Sequence, residues 1–197
     1  MSFRDFTSID KRFLLILASG SPRRHFLMKE LGLKFEVRIK ETNESFPSEL
    51  KAEQISIYLA EKKAEAFRSE IKKNELLITA DTIVWINGQV LNKPTDHDDA
   101  FGMLRLLSGR MHEVFTGVCL MSKEKTKTFF CATKVFFREL SDEEIDYYIT
   151  TYKPFDKAGA YGAQEWIGYV GVEKIEGSYF NVMGLPLREL YEELSAF

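Results

Sequence analysis

The sequence predicts an α/β fold, a mixed, partly antiparallel twisted sheet flanked by helices, from three observations. Apolar runs of strand length at 14–17 and 76–80 alternate with amphipathic stretches, the pattern of helical crossovers between strands. Asn87 and Gly88 form a strong hairpin signal. Segments 112–122 and 127–137, rich in Val, Phe and Thr, read as paired antiparallel strands. Crossovers and hairpins in one chain make a mixed sheet. At 197 residues a single domain is expected over 1–197, long enough for a substantial core.

Taken in order, a polar stretch at 1–12 precedes strand 14–17, which runs through Ser19, Gly20 and Ser21 into a helix over 23–31. Phe26, Leu27 and Leu31 give that helix its apolar stripe, and Gly32 stops it. A short strand at 35–39 leads to an acidic loop at 41–47. The helix expected over 49–73 is apolar at Ile55, Leu59, Ala60, Ala64 and Phe67 and highly charged elsewhere; Lys62 and Lys63 lie inside it, with a solvated face as the plain reading of both. Strand 76–80 ends in Asp81 and Thr82, and 83–86 extends into the hairpin. Thr95 to Asp98 is a capping-box-like start to a helix through Leu107, and Ser141 to Glu144 opens another to about residue 151. The stretch 153–164 is punctuated by glycine and dense in polar groups. Beyond it, 169–175 reads as a strand, 176–186 as a loop, and a last helix begins at Leu187.

Composition narrows the function classes. With 45% apolar and 29% charged residues and a net charge of -3, the chain has the make-up of a soluble globular protein. Its basic residues are interspersed with acids, which excludes a nucleic-acid coat or a polybasic membrane surface. No apolar run approaches the roughly 20 residues of a membrane span. Residues 1–11 are polar and include acids, so neither a signal nor a transit peptide is expected, and a cytoplasmic location is. Cys119 and Cys131 lack metal-ligand spacing and are expected to be buried free thiols.

Chemistry concentrates first at the turn after 14–17. A strand running through small residues into a helix N-terminus leaves N–H groups and the helix dipole pointing outward, an anion site. Ser21 can cap the helix that Pro22 opens, and Arg23 and Arg24 on its first turn can grip phosphate oxygens. Asp81 stands at the carboxyl end of a buried strand, where open α/β sheets place ligands. Glu44 follows a short strand toward the same end, and Lys63, Lys93 and Lys157 add positive charge if the fold gathers them. Each also has a plain reading: an ordinary turn with solvated arginines, a turn aspartate, a surface acid, solvated lysines. Two carboxylates converging beside arginines would instead suit a hydrated divalent ion and a polyphosphate.

Six segments resemble the Maf-like nucleotide pyrophosphatases: LILASGSPRR at 15–24, TADTIV at 79–84, NKP at 92–94, LSGRMHEVFTGV at 107–118, DKAGAYGAQ at 156–164 and GSYFNVMGLPL at 177–187. They cover nearly the whole chain in the family's order, leaving 1–12 as an N-terminal extension. The resemblance implies hydrolysis of nucleoside triphosphates to monophosphate and pyrophosphate with a divalent metal such as Mg, Mn or Co. It also implies a cytoplasmic, often dimeric enzyme of two lobes with the site in the cleft between them. The branch acting on dTTP and UTP resembles SGSPRR, ADT and DKAGAYGxQ; the branch acting on 7-methyl-GTP has a tryptophan after the proline and SDQ in place of ADT. Arg23, Thr82 and Gln164 stand at these selectivity positions and match the dTTP/UTP pattern. Glu165 departs from it, standing where glycine is usual.

By the same resemblance Asp81 is the expected proton acceptor and Glu44 a metal ligand, with Asp81 shared between both roles. Ser19, Arg23, Arg24, Lys63 and Lys93 are expected on the phosphates, and Thr82 and Gln164 on the base. Asp156 and Lys157 fit a salt bridge within a tight loop nearly as well as a role in the site. Two alternatives remain at this point: a same-family enzyme for 7-methyl-GTP or modified nucleotides, and a nucleotide-binding regulator of septation without turnover.

Overall fold

The computed structural model describes residues 9–197, so most of the extension expected at 1–12 lies outside the described residues. Its last turn, α1 (Ile9–Arg12), places Ile9 wholly in the core. The elements that follow are β1 (Leu14–Leu17), α2 (Pro22–Glu30), β2 (Phe35–Val37), α3 (Glu53–Glu65), β3 (Glu75–Ile86), β4 (Gln89–Leu91), α4 (His97–Leu107), β5 (Met111–Met121) and β6 (Thr126–Phe137). After them come α5 (Asp142–Tyr152), a 3₁₀ turn (Ala158–Ala160), α6 (Trp166–Gly171), β7 (Val172–Glu176), α7 (Tyr179–Met183) and α8 (Leu187–Ala196).

Among the described residues, seven strands form one sheet in the order β2-β1-β3-β5-β6-β7, with β4 also on β3. β2, β1 and β3 run parallel; β3, β5, β6 and β7 are mutually antiparallel neighbours. Side chains alternate across the sheet, so successive residues of β1 and β3 enter different cores. Leu15, Leu17, Leu76 and Ile78 pack with Leu27 and Met28 of α2 and Leu190 and Leu194 of α8. Ile16 and Leu77 face the other way, against Ala60 and Ala64 of α3 and against Phe67. Farther along β3, Val84 and Ile86 pack with Leu104 of α4 and Ile149 of α5. Two groups of helices therefore sit on one face, at opposite ends of the long strands, with a gap between them.

Full burial of each leucine stabilises the fold by about 1.5–3 kcal/mol. The close seating of α3 depends on Gly117 of β5. A Cβ there would lie 2.4 Å from the backbone carbonyl of Ser56. Thr79 ties the same helix down by donating to Ala60 O at 2.7 Å.

Some elements differ from the sequence-based expectation. β3 is one continuous strand, so Asp81 lies within it rather than at its end. Expected helix 49–73 is regular only over Glu53–Glu65, beginning after Ala52 at a φ of +47°. Of the strand expected over 169–175, residues 172–175 are strand, whereas 169–171 instead end α6: Gly168 lies so near Ala163 that a Cβ would meet its carbonyl oxygen at 2.0 Å, a packing that overrides the β preference of Tyr169 and Val170. The loop 176–186 contains α7, capped by the Ser178 hydroxyl, which accepts from Asn181 N–H. Ser21 occupies the N-cap of α2 without a side-chain bond. The full capping box is present at Ser141 and Glu144. Cys119 is buried as expected, whereas Cys131 is only half-buried, and both are free thiols.

Candidate active site

One edge of β3 is paired twice, with β1 over residues 75–78 and with β4 over residues 84–86. Between these pairings no strand covers that edge among the described residues, and the interval carries Asp81 and Thr82. A cleft of about 890 Å³ opens there, lined by the turn after β1, the acidic loop, β3 and the 156–164 segment. Alternation sends Asp81 toward α3 and Thr82 toward α2, yet both reach the cleft because the edge is open.

On the α3 side, Lys63 Nζ donates to Asp81 Oδ1 and, at 2.8 Å, to Glu44 Oε1. Lys93 Nζ holds Glu44 Oε2 at 2.9 Å. Lys63 is thus turned toward the acidic loop and not onto a solvated face. Its neighbour Lys62 reaches the same loop, donating to Ser45 O at 2.7 Å. Partial burial raises the Glu44 pKa, but the hydrogen bonds and charges of Lys63 and Lys93 outweigh it and draw the carboxyl down to about 2.

On the α2 side, Arg24 spreads its guanidinium over neutral oxygens: Nε donates to Gly184 O at 2.8 Å, Nη2 to Thr82 Oγ1 at 3.0 Å and Nη1 to Ser19 Oγ at 3.5 Å. Desolvation lowers its pKa, with the nearby Asp81 charge pulling the other way. Thr82 Oγ1 lies 2.9 Å from Thr116 Oγ1, whose hydroxyl donates to Asn181 O at 3.1 Å. The Thr116 proton is therefore spent on the carbonyl, and Thr82 donates to Thr116 while accepting from Arg24. Ser19, nearly buried, accepts from Ser21 N–H at 3.2 Å, and the His25 ring holds Ser19 O at 2.5 Å. These bonds fix the turn that the small residues allow.

The opposite wall is the 156–164 segment. Arg23 Nη1 pairs with Asp156 Oδ2 at 2.8 Å, and Asp156 Oδ1 with Lys157 Nζ at 2.7 Å. Lys157 is buried and also pairs with Glu165 Oε1 at 3.1 Å, apart from Lys63 and Lys93. Gln164 lines the cleft with its Oε1 buried and without a hydrogen-bond partner.

The structure thus brings Ser19, Arg23, Arg24, Glu44, Lys63, Asp81, Thr82, Lys93 and Gln164 to one cleft. Thr116, Gly184 O and Asn181 O, which hold Arg24 and Thr82, were not singled out from sequence. They fall inside the quoted segments, but their role depends on an approach across the sheet that no local pattern carries. A divalent ion fits the donor set: Glu44 and Asp81 are hard oxygen ligands that already converge on one cation, the Lys63 ammonium. Among the described residues no group of three or more His, Cys, Asp or Glu side chains gathers for a metal, so an ion would complete its shell with water and phosphate oxygens.

A cleft with these cations and a spare amide acceptor belongs to a protein that takes a phosphorylated small molecule. The chain belongs to the family described as Maf-like protein, whose model matches residues 14–197. A protein of Phocaeicola vulgatus named dTTP/UTP pyrophosphatase is 55% identical over 185 residues, 93% of this chain and 96% of that one. One of Flavobacterium johnsoniae with the same name is 52% identical over 185 residues, 94% of this chain and 95% of its own. The Staphylococcus aureus Ham1 protein superposes with a TM-score of 0.44 at 14% identity over 62% of this chain and 71% of that chain, a likeness confined to part of both folds.

Proposed function

We propose that this chain hydrolyses dTTP and UTP to the nucleoside monophosphate and pyrophosphate, with a divalent cation. The observation that carries the reading is Arg24, a guanidinium held by neutral oxygens alone among the described residues, facing the same cleft as the Asp81–Lys63–Glu44 cluster. A cation so placed is an anion receptor, and the carboxylates beside it have a use in water activation. The names of the relatives support the substrate class.

In the proposed reaction Asp81 takes a proton from a water that adds to phosphorus. The new P–O bond forms as the anhydride bond between the α and β phosphates breaks, and the electron pair leaves with pyrophosphate. Arg23, Arg24, Lys63 and Lys93, with Ser19 and the N–H groups of the first α2 turn, meet the charge that develops there. Glu44 and Asp81 would hold a magnesium, manganese or cobalt ion; when bound, it supplies charge neutralisation and a lowered pKa for coordinated water. Gln164 reads the base, its amide offering both a donor and an acceptor to the edge of uracil or thymine. Thr82, its hydroxyl engaged with Arg24 and Thr116, orients that guanidinium on the phosphates. A cytoplasmic location and a homodimer, both implied by the family resemblance, go with this reading; no helix among the described residues is long and apolar enough to cross a membrane.

Pyrophosphate release from dTTP, UTP, CTP and 7-methyl-GTP with each of the three metals tests the proposal. Turnover of dTTP and UTP well above the other two is expected. Faster hydrolysis of 7-methyl-GTP would overturn the substrate assignment, and binding without release would favour a regulator.

A further inference from the structure

We infer that Glu165 is a positioning residue for base selection: its carboxylate locks the turn at 162–165 so that the Gln164 amide is presented to the cleft. The inference rests on Gln164 being the base reader proposed above.

Gly162 N–H donates to Tyr148 Oη at 3.0 Å, and the Tyr148 hydroxyl donates to Glu165 Oε2. Tyr148 is wholly buried and has a single proton, so Glu165 is where that proton goes. The other carboxylate oxygen, Oε1, pairs with buried Lys157 at 3.1 Å, and Lys157 leads through Asp156 to Arg23. The backbone closes the same turn, Glu165 N–H donating to Gly162 O at 3.0 Å. Both side chains lie over Gly162: a Cβ there would stand 2.8 Å from Glu165 Cδ and 2.9 Å from Gln164 Nε2. The amide and the carboxylate are therefore both seated against the glycine backbone. Removing that carboxylate leaves the Tyr148 O–H without its acceptor and frees the turn, although Glu165 itself need touch no substrate.

The test measures kcat and KM for UTP, dTTP and CTP in the wild type, Glu165→Ala, Glu165→Gln and Tyr148→Phe. Glu165→Ala is expected to raise KM for UTP about tenfold with kcat little changed, and to narrow the UTP-to-CTP preference by a similar factor. Glu165→Gln keeps an acceptor for Tyr148 and should restore most of the preference. Tyr148→Phe, which cuts the link to Gly162, should narrow it as well. An equal loss on all three nucleotides, or an unchanged KM and preference in folded Glu165→Ala, overturns the inference. If Glu165→Ala does not fold, an unchanged preference in Tyr148→Phe overturns it. Failure of the wild type to turn over UTP or dTTP would instead defeat the functional reading, and the ratio of UTP to CTP binding constants in the same variants then decides the role of Glu165.

Discussion

The phosphate end of the cleft is framed by regular elements, whereas its base end is a loop clamped from beneath. At the first, β1 stops, α2 starts and β3 passes between them, so Ser19, Arg24 and Asp81 take their places from sheet register and helix packing. At the second, residues 156–165 hold few regular hydrogen bonds and depend on Tyr148, Lys157 and Glu165. The two ends also differ in charge: cations exceed carboxylates at one, and at the other the charges are largely paired, leaving an amide as the free group. The difference teaches how one cleft can combine a strong, unspecific grip on polyphosphate with a weak, discriminating contact. Electrostatics aimed at developing charge contributes most to rate, and a hydrogen-bonding pair contributes to choice.

Substitutions that separate the ends sharpen this contrast. Asp81→Asn should have the largest effect, lowering kcat for UTP about 1000-fold, as expected for loss of a general base. Arg24→Ala follows, with kcat/KM down about 100-fold for every nucleotide alike, since it removes charge stabilisation without touching the base. Arg24→Lys should recover little, because one ammonium cannot reach Gly184 O, Thr82 and Ser19 together. Gln164→Ala is smaller, a loss of about tenfold in the preference for UTP over CTP with kcat nearly kept. A uniform loss in Gln164→Ala, or a nucleotide-dependent one in Arg24→Ala, would break the division between the ends.

The smallest effect concerns pH. The folded pKa of Glu44, about 2, lies below its ordinary value of 4.5, so its ion pairs stabilise the fold above pH 4.5 and are lost as pH falls toward 2. Glu44→Gln should flatten the thermal midpoint across that window and leave it nearly unchanged in slope above pH 5.

Much of the frame was legible because local chemistry dictates it. Asn87 and Gly88 do adopt positive φ between β3 and β4, and Ser141 and Glu144 bond reciprocally. The apolar set Ile55, Leu59, Ala60, Ala64 and Phe67 is buried in full. What was not legible depends on contacts across the chain. The sequence marks the end of β1 but not that β4 resumes the same edge of β3, so the gap at Asp81 is hidden in it. Tyr148 is an α5 core residue whose hydroxyl acquires meaning only beside Gly162 and Glu165. Glu165 itself stands out in the sequence only as a departure from the family's pattern. Helix 166–171 was masked by aromatic and β-branched residues whose strand preference yields to the close packing of Gly168 on Ala163.

The central claim is that the phosphate end holds substrate through its cations while Asp81 supplies the chemistry. Calorimetric titration of UTP into Asp81→Asn, run beside its pyrophosphate release, tests this most directly. The account predicts a Kd within a few-fold of the wild-type value with turnover all but abolished. Retained turnover, or affinity lost together with turnover, would contradict it.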